Sequence, residues 1–159
     1  MNRPLHKRLL GAALPLLAVA AMVAAGFAGV RQTLAAGGYD GHTVLINELC
    51  AKNLTGLTTA AGTAEDWVEL LNVSGRDIDL SGWGLSDDPD RPYKWTFPAG
   101  TTLSGGENNI LVLFADGTGA QDADGTLHLG FRLGRTGETL TLTDAQGNTV
   151  DSLDYPAQQ

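Results

Sequence analysis

From Thr43 onward, apolar residues come in short runs that recur about every 10–15 residues, separated by Gly, Asp, Asn and Pro. Helical periodicity is scarce, and this spacing predicts an all-β sandwich or barrel. Leu127 to Leu133 alternates most clearly, with Leu127, Leu129, Phe131 and Leu133 on one face and His128, Gly130 and Arg132 on the other. Glu138 to Thr143 alternates leucine with threonine, and Asp144-Ala145-Gln146-Gly147-Asn148 reads as a hairpin loop. In the next strand, Thr149 to Tyr155, Val150 and Leu153 break strict alternation and predict a bulge. Ile110 to Ala115 is apolar on both faces, as a central strand requires. Thr43–Leu49 and Asp66–Asn72 are the first two strands, joined by a loop over Asn53–Ala64, and Ile78–Leu85 and Lys94–Phe97 are shorter and irregular.

The N-terminus follows a different pattern. Arg3, Lys7 and Arg8 precede an uncharged stretch of 22 residues from Leu9 to Val30, closed by Arg31. As a helix it would measure about 33 Å, against a hydrocarbon core of about 30 Å. Its length favours a retained anchor, because signal peptides usually carry a shorter apolar region. Its many alanines and glycines, with small residues at Val23-Ala24-Ala25 and Thr33-Leu34-Ala35, suit a cleaved signal. Both readings keep the basic end inside and send the rest of the chain across the membrane. Residues 1–30 are thus expected to be a signal peptide or membrane-anchoring hydrophobic helix, 31–42 a linker, and 43–156 the folded domain, extracytoplasmic in either case.

Charge sharpens the picture. Residues 39–159 hold six basic and all 18 acidic residues, a net of −12. Such a body repels phosphate backbones and excludes nucleic-acid binding by a general basic surface. The only cysteine, Cys50, permits no internal disulfide and reads as a small buried apolar residue.

The Asp79-Leu80-Ser81-Gly82-Trp83 segment reads as a turn in which Asp and Ser bond nearby backbone, Gly bends the chain and Trp plugs the core. Trp67, Trp83 and Trp95 read as core and corner plugs rather than a carbohydrate platform, and Glu69, on the strand face of Trp67, as a partner for a neighbouring loop. No nucleophile elbow, phosphate loop or zinc-protease motif is present. His128 reads as a lone residue on a polar strand face. Two loops collect carboxylates, Asp87, Asp88 and Asp90 in one and Asp116, Asp122 and Asp124 in the other. Asp122-Ala123-Asp124-Gly125 fails as an EF-hand, since the first and twelfth positions would be Ala120 and Phe131. Asp87, Asp88, Asp90, Asp122 and Asp124 remain weak candidates for a looser calcium site. Asn53-Leu54-Thr55 and Asn72-Val73-Ser74 are sequons.

In order and spacing, Ile46-Asn47-Glu48-Leu49, Asp66-Trp67-Val68-Glu69-Leu70-Leu71-Asn72, Asp77-Ile78-Asp79-Leu80-Ser81-Gly82-Trp83, Leu85-Ser86-Asp87-Asp88, Lys94-Trp95-Thr96-Phe97-Pro98-Ala99-Gly100-Thr101 and Gly137-Glu138-Thr139-Leu140-Thr141-Leu142 resemble the bacterial branch of the lamin tail domain family. The resemblance covers about residues 43–156. It implies an immunoglobulin-like β-sandwich without catalytic residues or cofactors, carried on exported proteins, often beside a spore-coat-type kinase, nuclease or phosphatase domain. The expectation is a non-enzymatic surface interaction or scaffolding module with a protein partner. The alternatives are an accessory domain of a larger exported enzyme whose catalytic part lies elsewhere, and a calcium- or carbohydrate-binding module.

Overall fold

A computed structural model of the chain describes Thr43–Gln158 and the backbone of Val30–Arg31. Most of the Leu9–Val30 stretch and of the 31–42 linker lies outside the described residues. The strands in chain order are β1 (Val30–Arg31), β2 (Val44–Cys50), β3 (Trp67–Asn72), β4 (Ile78–Asp79), β5 (Gly84–Ser86), β6 (Trp95–Thr96), β7 (Thr102–Leu103), β8 (Ile110–Phe114), β9 (Leu127–His128), β10 (Gly137–Thr143) and β11 (Thr149–Pro156). They form one sheet in the order β1-β2-β3-β8-β9, a second in the order β11-β10-β5-β6, and a small β4-β7 pair. The described residues contain no helix, and the architecture is the expected immunoglobulin-like sandwich.

Strand pattern explains how the sheets face each other. On β2, Val44, Ile46 and Leu49 are fully buried in the core. Ile46 and Leu49 share that face although they are three residues apart, because the register with β3 shifts between Ile46 and Glu48. Val68, Leu70 and Leu113 add to the same face, and Leu85, Leu140, Leu142 and Leu153 meet them from the second sheet. On the other face of the first sheet, Cys50, Trp67 and Phe114 form a separate cluster with Leu57 from the following loop. Burial pushes the Cys50 thiol pKa up, as suits an inert packed residue.

The predicted bulge is present: Leu142 pairs with Asp151 and Thr143 with Thr149, leaving Val150 as the extra residue. The hairpin loop before it closes on Asp144, whose Oδ1 accepts the amides of Gln146 at 2.9 Å and Asn148 at 2.8 Å, while Gly147 adopts φ 90°. Leu127–Leu133 departs from expectation. Its leucines and Phe131 are buried as predicted, but only Leu127–His128 forms a strand, parallel to Leu113–Phe114. Arg132 makes an isolated bridge to Asp116 instead. Periodicity reads which way side chains point; it does not show whether a neighbouring strand lies within hydrogen-bond reach.

The sheets are also joined by side chains. The Ile46 amide donates to Asp151 Oδ2 at 2.7 Å, and the Ala51 amide donates to Gln158 Oε1 at 2.7 Å. The first runs from β2 to β11, and the second from the residue after β2 to the residues after β11.

Trp95 is 8% exposed and meets the Phe97 ring edge-on with centroids 4.7 Å apart. Trp83 is only half-buried and packs against the core from its edge, as a corner plug rather than a core anchor. Trp95→Ala is therefore expected to cost about 3–5 kcal/mol in a urea titration, and Trp83→Ala clearly less. Equal losses would contradict this placement.

Candidate functional site

The densest arrangement of ionisable groups lies where residues 116–128 fold back on the edge of the first sheet. Asp116 follows β8, and its Oδ1 accepts the Thr118 amide at 2.9 Å and hydroxyl at 2.8 Å. A short hairpin comes next: Gln121 bridges Leu127, and the Asp122 amide donates to Thr126 O at 2.9 Å. His128, on β9 beside Phe114, lies between the two carboxylates. Its Nδ1 is 2.7 Å from Asp116 Oδ2 and its Nε2 is 3.3 Å from Asp122 Oδ2. The second contact is not aligned for a hydrogen bond, which makes it an ion pair.

His128 is 5% exposed, so its reading as a lone surface residue is corrected. Burial is the largest influence and opposes its charge; the Asp116 hydrogen bond and the attraction of Asp116 and Asp122 together outweigh it and raise the pKa above 6.5. Burial likewise pushes Asp116 up, but Thr118 and His128 hold its carboxyl below the usual value. The sequence signal for this clasp is faint, since His128 comes six positions after Asp122 and twelve after Asp116. Only loop closure brings the three together.

The other sequence-selected residues are dispersed. Asp87 pairs with Lys94, whose Nζ also lies 5.0 Å from the Phe131 ring centroid. Asp88 Oδ1 accepts the Asp90 amide at 3.0 Å, and Asp124 Oδ1 accepts the Thr126 amide at 3.0 Å. Among the described residues, no group of three or more His, Cys, Asp and Glu side chains is arranged to hold a metal ion. Trp67 belongs to the cluster on the outer face of the first sheet, Trp95 to the core, and Trp83 to the core edge. Glu69 bonds the neighbouring strand rather than a loop: Asn47 Nδ2 donates to its Oε1 at 2.6 Å. Tyr155 donates to Glu138 Oε1 at 2.6 Å, and burial followed by that carboxylate drives its phenol pKa far up, which keeps it neutral.

The sequon asparagines are structural. Asn53 is 5% exposed and its Nδ2 donates to Leu57 O and Glu65 O, tying both ends of the first long loop. Asn72, 1% exposed, donates through Nδ2 to Arg76 O and Leu103 O. Neither amide is accessible to a glycosylating enzyme in the folded domain. A cleft of 240 Å³ between the 98–102 turn and the 121–127 hairpin is lined by uncharged residues, among them Pro98, Thr101, Gln121 and Leu127.

The motif residues thus serve turns, strand pairing and core. The Lamin Tail Domain family model matches residues 38–157. The chain belongs to the lamin tail domain family. No curated protein matches it. As a lamin tail domain it is an immunoglobulin-like module, consistent with a non-catalytic interaction domain. The family motifs also acquire physical meaning: Asn47 and Glu69 join the first two motif strands, and Asp79 Oδ1 accepts the Ser81 amide at 2.9 Å while Ser81 Oγ accepts the Gly100 amide at 2.8 Å.

The clasp sets a pH dependence. His128 has a raised folded-state pKa, so its stabilising contribution is complete below about 6.5 and is lost as pH rises through the folded value. The unfolding free energy of the wild type minus that of His128→Gln should shrink as pH rises above about 6.5. A difference that stays constant or grows would contradict the clasp.

Proposed function

We propose that this lamin tail domain is a non-enzymatic interaction module, displayed outside the membrane by its N-terminal segment, that binds a protein partner. The observation that carries the reading is how the motif side chains are used: Asn47 bonds Glu69 and Asp79 bonds Ser81, so these polar groups hold the scaffold together, as Asp116 and His128 do outside the motif segments. Such a scaffold presents a rigid surface, and rigid surfaces bind with little ordering cost. The net of −12 over residues 39–159 favours a partner with a basic face and steers it by long-range attraction. The N-terminal stretch supports placement at the membrane: three basic residues precede its apolar run and one follows. Scaffolding follows if one domain holds its partner close to that surface.

Affinity capture from envelope fractions with the full chain tests this. The expected result is a protein partner that is released as salt rises, because screening weakens attraction between exposed charges. Capture of nothing above background would contradict it. The mature N-terminus, read by mass spectrometry on membrane and soluble fractions, tests display; a chain beginning at Met1 in the cytosolic fraction would contradict it.

A further inference from the structure

An edge strand leaves a row of unpaired amides and carbonyls that invites a further strand. On β2 the exposed row is divided. At one end the Ile46 amide is capped by Asp151, and at the other the Ala51 amide is capped by Gln158. Between the caps, Leu49 pairs with Val30 and Glu48 with Arg31 in an antiparallel ladder only two residues long. We infer that this stretch of β2 is a strand-docking slot, filled in cis by Val30–Arg31, whose external ligand is an extended protein segment carrying a similar aliphatic–basic pair.

Three observations support that ligand. The cis occupant shows that the slot accepts an extended backbone, and main-chain pairing is the usual source of affinity in strand addition. The register sets a basic residue opposite Glu48, which is 4% exposed, in a domain with a net of −12, so charge selects what main-chain bonds cannot. The two caps limit the slot to a short strand, which keeps the bound segment exchangeable, since short ladders are marginal by themselves. The cis occupant gains from its tether: the chain leaves the slot at Arg31 and rejoins β2 from Thr43, so its effective concentration is high. The two cleavage positions in the leader then have opposite effects. A cut after Ala25 leaves Val30–Arg31 in place, whereas a cut after Ala35 removes the occupant and opens the slot.

The inference rests on the interaction-module reading for its partner class, but its test does not. Hydrogen exchange over Glu48–Leu49, one of whose two amides faces the slot, is compared between the full chain and the full chain carrying both Val30→Pro and Arg31→Pro, which removes the occupant's inward-facing donor. Exchange there should be about tenfold faster in the variant, a loss typical of one weak local ladder, with Leu140 and Leu142 unchanged as a control for folding. A synthetic peptide with the sequence of residues 28–33 should bind the variant and restore slow exchange at Glu48–Leu49, and the same peptide with Arg31→Glu should not. Equal exchange in the two chains, or peptide binding without restored protection, would overturn the slot. Failure of the interaction-module reading shows instead in affinity capture and leaves the exchange result standing.

Discussion

The constraint on which this fold most depends is the disposal of backbone amides along the outer edge of β2. Sandwiches join two sheets mainly by apolar contact, which is non-directional and sets no register between them. Here a directional link is added. The Asp151 carboxylate of β11 accepts the Ile46 amide of β2, and both residues are buried. A buried amide left without a partner costs about 1–3 kcal/mol, so the two sheets are held in one relative position. The Val150 bulge immediately before Asp151 belongs to the same device: without the extra residue, alternation would turn Asp151 to the other face of β11.

The same logic of satisfied backbone organises the loops. Asn53 and Asn72 each gather carbonyls from separated positions, and Asp144 gathers the amides of its hairpin. His128 performs the equivalent task with charge, drawing Asp116 and Asp122 toward the sheet edge. A domain whose polar side chains are committed this way presents stable loops and a fixed outline, which suits recognition by surface shape and charge more than chemistry in a cleft.

Much of this was legible in the sequence, for stated reasons. The order of strands, the Val150 bulge, the Asp144–Asn148 hairpin and the Asp79–Trp83 turn follow from alternation and turn chemistry, which are local properties. β7 has no sequence signature, because two residues with one apolar side chain, Leu103, carry no periodic signal. Alternation predicts a longer β9 than forms, because burial alternates through Leu133 while strand pairing stops at His128. The clasp has no local signature: an isolated His in an alternating pattern is indistinguishable from a solvated one until the loop from Asp116 closes over it. That these carboxylates lie in loops is a local property, but which of them point at one another depends on backbone turns set by Thr118 and Thr126.

The Asp151 link makes the two sheets one mechanical and thermodynamic unit. Native-state hydrogen exchange of Asp151→Ala tests it most directly, read at Leu70 in the first sheet and Leu140 in the second. Protection is expected to fall at both positions by the same amount, equivalent to about 1–3 kcal/mol for an orphaned buried amide. Unchanged protection at both, or a loss confined to one sheet, would contradict it.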